Sequence, residues 1–177
     1  MNEALSVAVV DSPIGPLKVT TSERGLREVY MCDQRPRNVA TSGGAKSDQM
    51  LERATSQLSE YFAGRRMHLE MPRDVVGTEF QRSVWDAIAR IKPGRVTTYS
   101  ALAEEIGRPN SARAVGRATG SNPLPIVVPC HRVLGADCSM TGFGGGLPRK
   151  RWLLEHEGHA FTERGKVDVG TPAHRTR

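Results

Sequence analysis

Residues 122–133 read Asn-Pro-Leu-Pro-Ile-Val-Val-Pro-Cys-His-Arg-Val, and this stretch decides how the second half of the chain is interpreted. Its prolines predict a rigid turn, and the apolar run 126–128 predicts a buried strand that leads directly into Cys130 and His131. A cysteine beside a histidine after a strand is a typical position for a thiolate nucleophile. Nearby positive charge favours the thiolate, because it lowers the pKa of the thiol.

Each of these side chains also has a purely structural interpretation. Cys130 can be a buried thiol, the commoner role of cysteine, and His131 can be a core histidine bonded to a carbonyl group. A histidine base needs a third group to orient it, and Glu157 is the candidate because it ends a predicted helix over 149–157. On its spacing alone, Glu157 is equally well a solvated residue. Adjacent side chains seldom bond to one another, so the functional interpretation places a bridging water between His131 and Cys130.

The pattern before this stretch is helical. Residues 78–81 read Thr-Glu-Phe-Gln and fit a capping box that begins a helix. Two short predicted helices, 100–106 and 111–119, flank a turn that contains glycine, which is typical of a helix-turn-helix, although helical hairpins in protein cores look similar. The second helix is rich in small residues and carries Arg113, so its backbone can approach a narrow surface closely.

The first part of the chain predicts a small α/β unit. Strand-like runs cover 6–11, 17–21 and 26–30, an apolar helical stripe covers 51–62, and a further strand is expected over 67–71. Nothing in residues 1–74 has the pattern of a reactive site. A boundary near 72–77 separates this unit from the helical part.

Composition and charge exclude several classes of protein. The chain has 177 residues, 38% hydrophobic and 25% charged, which fits one ordinary domain or two small ones and argues against wholesale disorder. Apolar runs are far shorter than the roughly 20 residues of a membrane span, the start lacks a secretory pattern, and three cysteines do not make a disulfide framework. We therefore expect a cytoplasmic protein that does not bind membranes.

The net charge of +6 falls entirely beyond residue 74, because residues 1–74 balance ten basic side chains against ten acidic ones. A positive second half suits a surface that binds a polyanion such as DNA, since contacts of Lys and Arg with phosphates supply most non-specific affinity for nucleic acid. Ordinary solubility explains the same charge equally well.

Residues 129–133, Pro-Cys-His-Arg-Val, closely resemble the active-site motif of the O6-alkylguanine-DNA alkyltransferases. The resemblance covers nearly all of residues 77–158, and the run 11–17 resembles the start of the same family. The motifs that carry it are 77–81, Tyr99, 111–116, Asn122-Pro123, the glycine-rich 141–146 and 152–158. A resemblance of this length is highly specific.

The resemblance implies a fold. An α/β, RNase H-like domain over 1–74 is followed by a mainly helical, winged-helix-like domain over 75–160, which contains the helix-turn-helix and the active site. Residues 161–177 lack apolar periodicity, and we expect them to form a flexible tail.

The resemblance also implies direct reversal of DNA damage in a single turnover. Cys130 takes the alkyl group from O6 of a guanine that is flipped out of the duplex. His131 takes the thiol proton through a water, and Glu157 holds the imidazole in the useful tautomer. Tyr99 donates to N3 of the guanine as negative charge develops there, and Asn122 ties the turn to the active-site loop.

Arg113 corresponds to the arginine that fills the space of the flipped base, and the helix that carries it corresponds to a reader of the minor groove. Phe143 stands where relatives often carry Tyr. The DNA-binding or substrate-binding residues that the resemblance implies are Arg113, Ala112, Ser111, Gly116, Pro125, Val133, Phe143 and Gly144.

The expected partner is double-stranded DNA that carries O6-alkylguanine, bound through its minor groove. We predict no metal and no other cofactor, and a monomer for which cooperative assembly on DNA is left open. Activity on O4-alkylthymine is also left open. Two alternatives remain: a helix-turn-helix protein that senses alkylated DNA without repairing it, and, with less support, a cysteine hydrolase that uses Cys130, His131 and Glu157.

Overall fold

The computed structural model describes residues 4–34, 36 and 41–169. These residues form two compact units. The first comprises the chain up to Val76 together with Pro123–Val127, and the second comprises Gly77–Asn122 and the chain from Val128 onward. The division differs from the predicted domains 1–74 and 75–160 mainly in Pro123–Val127, which is remote in sequence from the rest of the unit it belongs to.

The first unit is built on a three-stranded antiparallel sheet in the order β1 (Ser6–Val10), β2 (Leu17–Ser22), β3 (Gly25–Met31). Helix α1 (Ala45–Phe62) packs against it. The core between them contains Leu17, Val19, Leu26, Ala54, Leu58 and Tyr61, none more than 1% exposed. The three predicted strands are confirmed, with ends that shift by one residue.

The predicted strand over 67–71 is wrong. The backbone of Glu70 pairs instead with the side chain of Gln57 on α1, whose amide donates to the Glu70 carbonyl at 2.9 Å and accepts from its N–H at 2.8 Å. A side chain therefore satisfies the groups that a neighbouring strand would have used. One isolated bridge, between Leu26 and Arg73, follows.

The predicted strand over 126–128 is also wrong. Ile126 has a φ of 76°, in the left-handed region, and this breaks the extended conformation that a strand requires. The segment Pro123–Val127 is a turn, and the N–H of Val29 on β3 donates to the Pro123 carbonyl at 2.9 Å. Leu124 and Ile126 are buried, so the apolar run correctly indicated burial but not the backbone conformation.

The second unit is mainly helical. Its elements are α2 (Glu79–Ala89), β4 (Thr97–Thr98), α3 (Tyr99–Glu105), α4 (Ala112–Gly120), a 3-10 turn (Cys130–Arg132), β5 (Val133–Leu134) and α5 (Leu147–His156). Strands β4 and β5 pair in parallel. The capping box at the start of α2 is confirmed, because Thr78 accepts from the N–H of Gln81 and the Gln81 side chain accepts from the N–H of Thr78.

Helices α3 and α4 form the predicted helix-turn-helix, and both pack against α2. The indole N–H of Trp85 on α2 donates to the carbonyl of Ala118 on α4 at 2.8 Å in the interior of this unit. Buried Val84, Ile88, Leu102 and Val115 fill the space between the three helices. The core thus fixes one side of α4 and leaves its other side exposed.

Residues 161–169 pack against this unit, in contrast to the flexible tail predicted over 161–177. Phe161 and Val167 form a bridge, and Val167 is 2% exposed in an apolar cluster with Leu134 and Leu154. The ammonium of Lys166 pairs with Asp137 at 2.7 Å. A hairpin this short shows no apolar period in the sequence, which is why it was missed. Residues 170–177 lie outside the described part of the chain.

Candidate active site

Cys130 begins the 3-10 turn that follows Val128 and Pro129. Its N–H donates to the carbonyl of Val128 at 2.7 Å, and the residue is only 6% exposed. The sharp turn places Cys130, His131 and Arg132 on three different sides of one short segment, so neighbouring residues in sequence reach different partners.

Asn122 holds the start of this segment. Its side-chain amide donates to the carbonyl of Val128 at 2.8 Å and also hydrogen-bonds the thiol of Cys130. One amide therefore fixes both the backbone before the turn and the sulfur.

His131 and Glu157 form a fully buried pair. Nε2 of His131 lies 2.8 Å from Oε1 of Glu157, and neither side chain is exposed. Burial opposes ionisation of Glu157, but His131 and Arg132 outweigh it and hold the pKa of the carboxyl well below its usual range. Burial lowers the pKa of His131, and Glu157 offsets only part of the shift. The geometry favours a neutral imidazole beside an ionised carboxylate.

Arg132 binds the same carboxylate with two nitrogens. Its Nε donates to Oε2 of Glu157 at 2.7 Å and its Nη2 to Oε1 at 2.8 Å, while Nη1 donates to the carbonyl of Ile91 just beyond α2. The residue is 2% exposed. A bidentate arginine–carboxylate pair is the strongest ordinary hydrogen-bonded ion pair in proteins, and it fixes the orientation of the carboxylate.

Lys150 is a second buried cation near Cys130. Its ammonium donates to the carbonyls of Val133 at 2.7 Å and Thr141 at 2.9 Å, and the residue is not exposed at all. Burial lowers the pKa of Lys150 to about 8, and the proximity of Cys130 offsets part of the shift. At neutral pH the lysine is therefore still mainly protonated.

The Cys130 thiol is subject to opposing influences. Burial raises its pKa, whereas the Asn122 amide, the Lys150 charge and nearby backbone N–H groups lower it. Burial dominates, so the resting side chain is a thiol. The surrounding donors and cation are placed to stabilise negative charge on the sulfur once the proton leaves.

Tyr99, the first residue of α3, reaches the glycine-rich loop 141–146. Its hydroxyl donates to the carbonyl of Thr141 at 3.2 Å, the same oxygen that Lys150 binds. Burial raises the pKa of Tyr99, which keeps the phenol protonated and able to donate. Within the loop, Phe143 is half-buried and Gly144 is exposed.

Helix α4 presents the remaining predicted residues. Arg113 and Arg117 are exposed, and across the described residues neither guanidinium makes a hydrogen bond or an ion pair. Ser111 and Ala112 at the start of α4 are half-exposed, as is Gly116, where an added Cβ would lie 3.9 Å from the Tyr99 ring. Two unpaired cations on a helix of small residues form a surface suited to phosphates.

The structure thus brings together Cys130, His131, Glu157, Asn122 and Val133, and places Tyr99 at the adjoining loop. Pro125 belongs to the first unit and is not among these contacts.

Two family models match the chain and together span most of it. The ribonuclease-like domain of 6-O-methylguanine DNA methyltransferase matches residues 5–75, and the DNA-binding domain of the same family matches residues 79–159. The chain belongs to the 6-O-methylguanine DNA methyltransferase family. The expected fold class, a ribonuclease-like domain followed by a DNA-binding domain, is thereby confirmed.

Relatives in this family match over most of their length. A methylated-DNA–protein-cysteine methyltransferase of Mycolicibacterium paratuberculosis is 45% identical over 84% of this chain and 89% of its own. One of Shigella flexneri is 43% identical over 85% and 94%. A crystal structure of Mycobacterium tuberculosis OGT in complex with DNA has a TM-score of 0.74 at 42% identity and covers 84% of this chain and 90% of that one.

Sequence reasoning missed two buried cations of this methyltransferase site, Arg132 and Lys150. Lys150 lies in the run Arg149-Lys150-Arg151, which looks like a solvated surface. The signal that could have found it is helical spacing: Lys150, Leu153, Leu154 and Glu157 share one buried face of α5 and its end. Arg132 gave no such signal, because its partner is 25 residues away in sequence.

Proposed function

We propose that this protein repairs alkylated DNA by direct reversal, in one irreversible transfer of an alkyl group from O6 of guanine in double-stranded DNA to Cys130. The observation that carries the proposal is the buried thiol beside a preformed His131–Glu157 pair and the Lys150 cation, on a chain of this family. The names of the relatives, methylated-DNA–protein-cysteine methyltransferases, support the same reaction.

The reaction is a displacement at the alkyl carbon. The sulfur of Cys130 forms a bond to that carbon as the bond from carbon to O6 breaks, and the electron pair of the broken bond stays on the guanine. The thiol proton passes to His131, and the guanine leaves neutral after it takes up a proton. Because the thioether is stable, each molecule reacts once.

His131 acts as the base through its Nδ1. Its Nε2 donates to the ionised Glu157, which fixes the tautomer and leaves the lone pair on Nδ1. Nδ1 is buried and has no hydrogen-bond partner within the described part of the chain. This nitrogen is therefore available to take the thiol proton through a bridging water, and Glu157 acts as a positioning residue.

Tyr99 and Asn122 assist at the two ends of the reacting system. The Tyr99 hydroxyl, now bonded to Thr141, donates to N3 of the bound guanine and relieves the negative charge that develops there. Asn122 keeps Cys130 in place through its bonds to Val128 and to the sulfur.

Helix α4 enters the minor groove, and Arg113 fills the space of the flipped base. Its exposed, unpaired guanidinium and the small residues beside it support this role. The remaining residues of the second unit proposed to contact DNA or the base are Ser111, Ala112, Gly116, Val133, Phe143 and Gly144.

DNA is the macromolecular partner, as in the related crystal structure with bound DNA. None of the helices described is both long and apolar enough to cross a membrane. Location in the cytoplasm and a monomeric state stay predictions.

The deciding experiment mixes equimolar protein with a duplex that carries one O6-methylguanine and analyses the protein by intact and peptide mass spectrometry. We expect one methyl group, on the peptide that contains Cys130, and no second turnover when the duplex is in excess. Cys130→Ala should bind the duplex and remain unmodified, whereas Cys32→Ala and Cys138→Ala should react normally.

The alternatives give different results in the same experiment. A damage sensor would bind the lesion duplex without gaining mass. A cysteine hydrolase would release product repeatedly and leave Cys130 free. Either result would overturn the proposal.

A further inference from the structure

We infer that Arg132 is a positioning residue for alkyl transfer, which holds the Glu157 carboxylate in the orientation that His131 requires. The inference rests on the proposed function, since it assigns a role within the same reaction. It starts from the two bonds of 2.7 and 2.8 Å that Arg132 makes to Glu157, with both side chains no more than 3% exposed.

The guanidinium is itself fixed at three points. Its third nitrogen donates to the carbonyl of Ile91 just beyond α2, and the backbone N–H of Arg132 donates to the Pro129 carbonyl at 2.9 Å. Arg132 therefore connects α2, the turn that carries Cys130 and the end of α5. Glu157 is the residue just beyond the last residue of α5, and its N–H donates to the carbonyl of Leu153 at 3.1 Å.

Oε1 of Glu157 is shared between the two partners. It accepts from Nε2 of His131 at 2.8 Å and from Nη2 of Arg132 at 2.8 Å, while Oε2 accepts from Nε of Arg132 at 2.7 Å. Rotation of the carboxylate would break the bidentate pair. The plane of the guanidinium thus sets the direction from which His131 meets its acceptor, which a lysine at the same position could not do.

The charge of Arg132 also acts on the base. A cation that shares the carboxylate opposes a second positive charge on His131 and favours the neutral imidazole, the form that accepts a proton. The other ionisable groups that face His131 are Glu157, Lys150, His159 and Cys130. Arg132→Lys changes the hydrogen bonds to Glu157 and keeps the positive charge, whereas Arg132→Gln removes the charge. Substitution at Arg132 can therefore separate the effect of geometry from the effect of charge.

The test is a double-mutant cycle of Arg132→Lys and Glu157→Gln, with single-turnover rates measured on free O6-benzylguanine and on a lesion duplex. We expect Arg132→Lys to slow transfer roughly 10- to 100-fold on both substrates with unchanged affinity for DNA, the scale of a small misplacement of a reacting group. In the Glu157→Gln protein, Arg132→Lys should slow transfer less than about twofold further, because the group it positions is gone.

The matched control is Arg90→Lys, which alters an exposed arginine–glutamate pair between Arg90 and Glu105 in the same unit and should leave the rate unchanged. Arg132→Lys at the wild-type rate would overturn the inference. So would an equal loss from Arg132→Lys in both backgrounds, because that pattern indicates a general structural defect and not action through Glu157.

The pH dependence of the rate gives a second, independent measurement. Arg132→Lys retains the charge, so the acid limb of its profile should stay at the wild-type pH. Arg132→Gln removes the charge, which raises the pKa of His131 and should move the acid limb to higher pH. A residue with a merely structural role would lower the melting temperature and leave the acid limb in place for both variants. If Cys130 of the wild-type protein takes no methyl group, the proposed function fails first, independently of Arg132.

Discussion

Two regions of the second unit carry positive charge in opposite ways. In the buried cluster around His131, formed by His131, Arg132, Lys150 and Glu157, each cation donates to at least two protein oxygens, most of them at 2.7–2.9 Å. On the exposed face of α4, Arg113 and Arg117 make no such contact with any described residue. Arginine is thus hydrogen-bonded to protein groups in the buried cluster and makes no such bond to a described residue on the face of α4.

The difference follows from desolvation. A charge in the interior must have its partners before the substrate arrives, because an unpaired buried charge costs several kcal/mol. A charge on the surface is hydrated and keeps its capacity for a phosphate. The buried cluster should therefore govern chemistry on any substrate, and the α4 face should govern only what happens with duplex DNA.

The largest expected effect is that of Glu157→Gln. The neutral amide no longer fixes the His131 tautomer, so we expect transfer to slow about 10²–10⁴-fold on free O6-benzylguanine and duplex alike. Arg132 loses its buried counter-ion, and a broken buried pair destabilises a fold by about 3–5 kcal/mol. Single-turnover rates and thermal denaturation measure the two effects. A loss confined to the duplex would break the distinction between the two regions.

Arg113→Ala should have the reverse selectivity. We expect transfer from duplex DNA to slow roughly 10- to 100-fold, because extrusion of the base costs a few kcal/mol and loses its compensating side chain. The rate on free O6-benzylguanine should not change. Arg90→Ala is the control for removal of an exposed arginine. Equal losses on both substrates would contradict the role of Arg113.

The buried cluster should also make stability depend on pH. Burial lowers the pKa of His131 in the folded protein. Below the usual pKa of 6.5 of an unfolded histidine, the unfolded chain is therefore protonated at His131 while the folded chain is not, and protonation favours unfolding. His159, also lowered, adds to the effect. The melting temperature should fall from pH 7 to pH 5, and fall again below about pH 4, where the carboxyl of Glu157 takes up a proton in the unfolded chain before it does so in the folded one. Arg113→Ala should show the same curve, whereas a melting temperature that is constant over this range would refute the prediction.

The smallest effect expected is that of Gly116→Ala. The added methyl group meets only the Tyr99 ring at 3.9 Å, an ordinary contact, so the helix should gain about 0.5–1 kcal/mol. If α4 presses against DNA, the same methyl group should weaken duplex binding several-fold. Gly120→Ala, where an added Cβ would meet no atom outside the backbone of its own helix within 4 Å, is the matched control for stability without a loss of binding. Titration of a fluorescent duplex measures both affinities.

Sequence reasoning succeeded where information is local. The capping box at Thr78 and Gln81 and the apolar stripes of the helices depend on residues a few positions apart, and the structure has them as predicted. It failed where a distant group intervenes: Gln57 replaces a neighbouring strand for Glu70, and the burial of Arg132 depends on Glu157, which lies 25 residues away. Ile126 differs for a third reason, because a β-branched residue with φ of 76° contradicts the preference that composition indicates.

The buried cluster has a further consequence in terms of charge balance. At neutral pH it holds two cations, Arg132 and Lys150, against the single carboxylate of Glu157, so one positive charge is left over in a medium of low dielectric. During transfer the reacting atoms carry one negative charge throughout, first on sulfur and then on the departing guanine. That negative charge faces the excess positive charge of Arg132 and Lys150 together with the proton held by His131, whereas the thiol at the start and the thioether at the end are neutral. A rigid interior can therefore favour the passage between two neutral end states without any movement of its own.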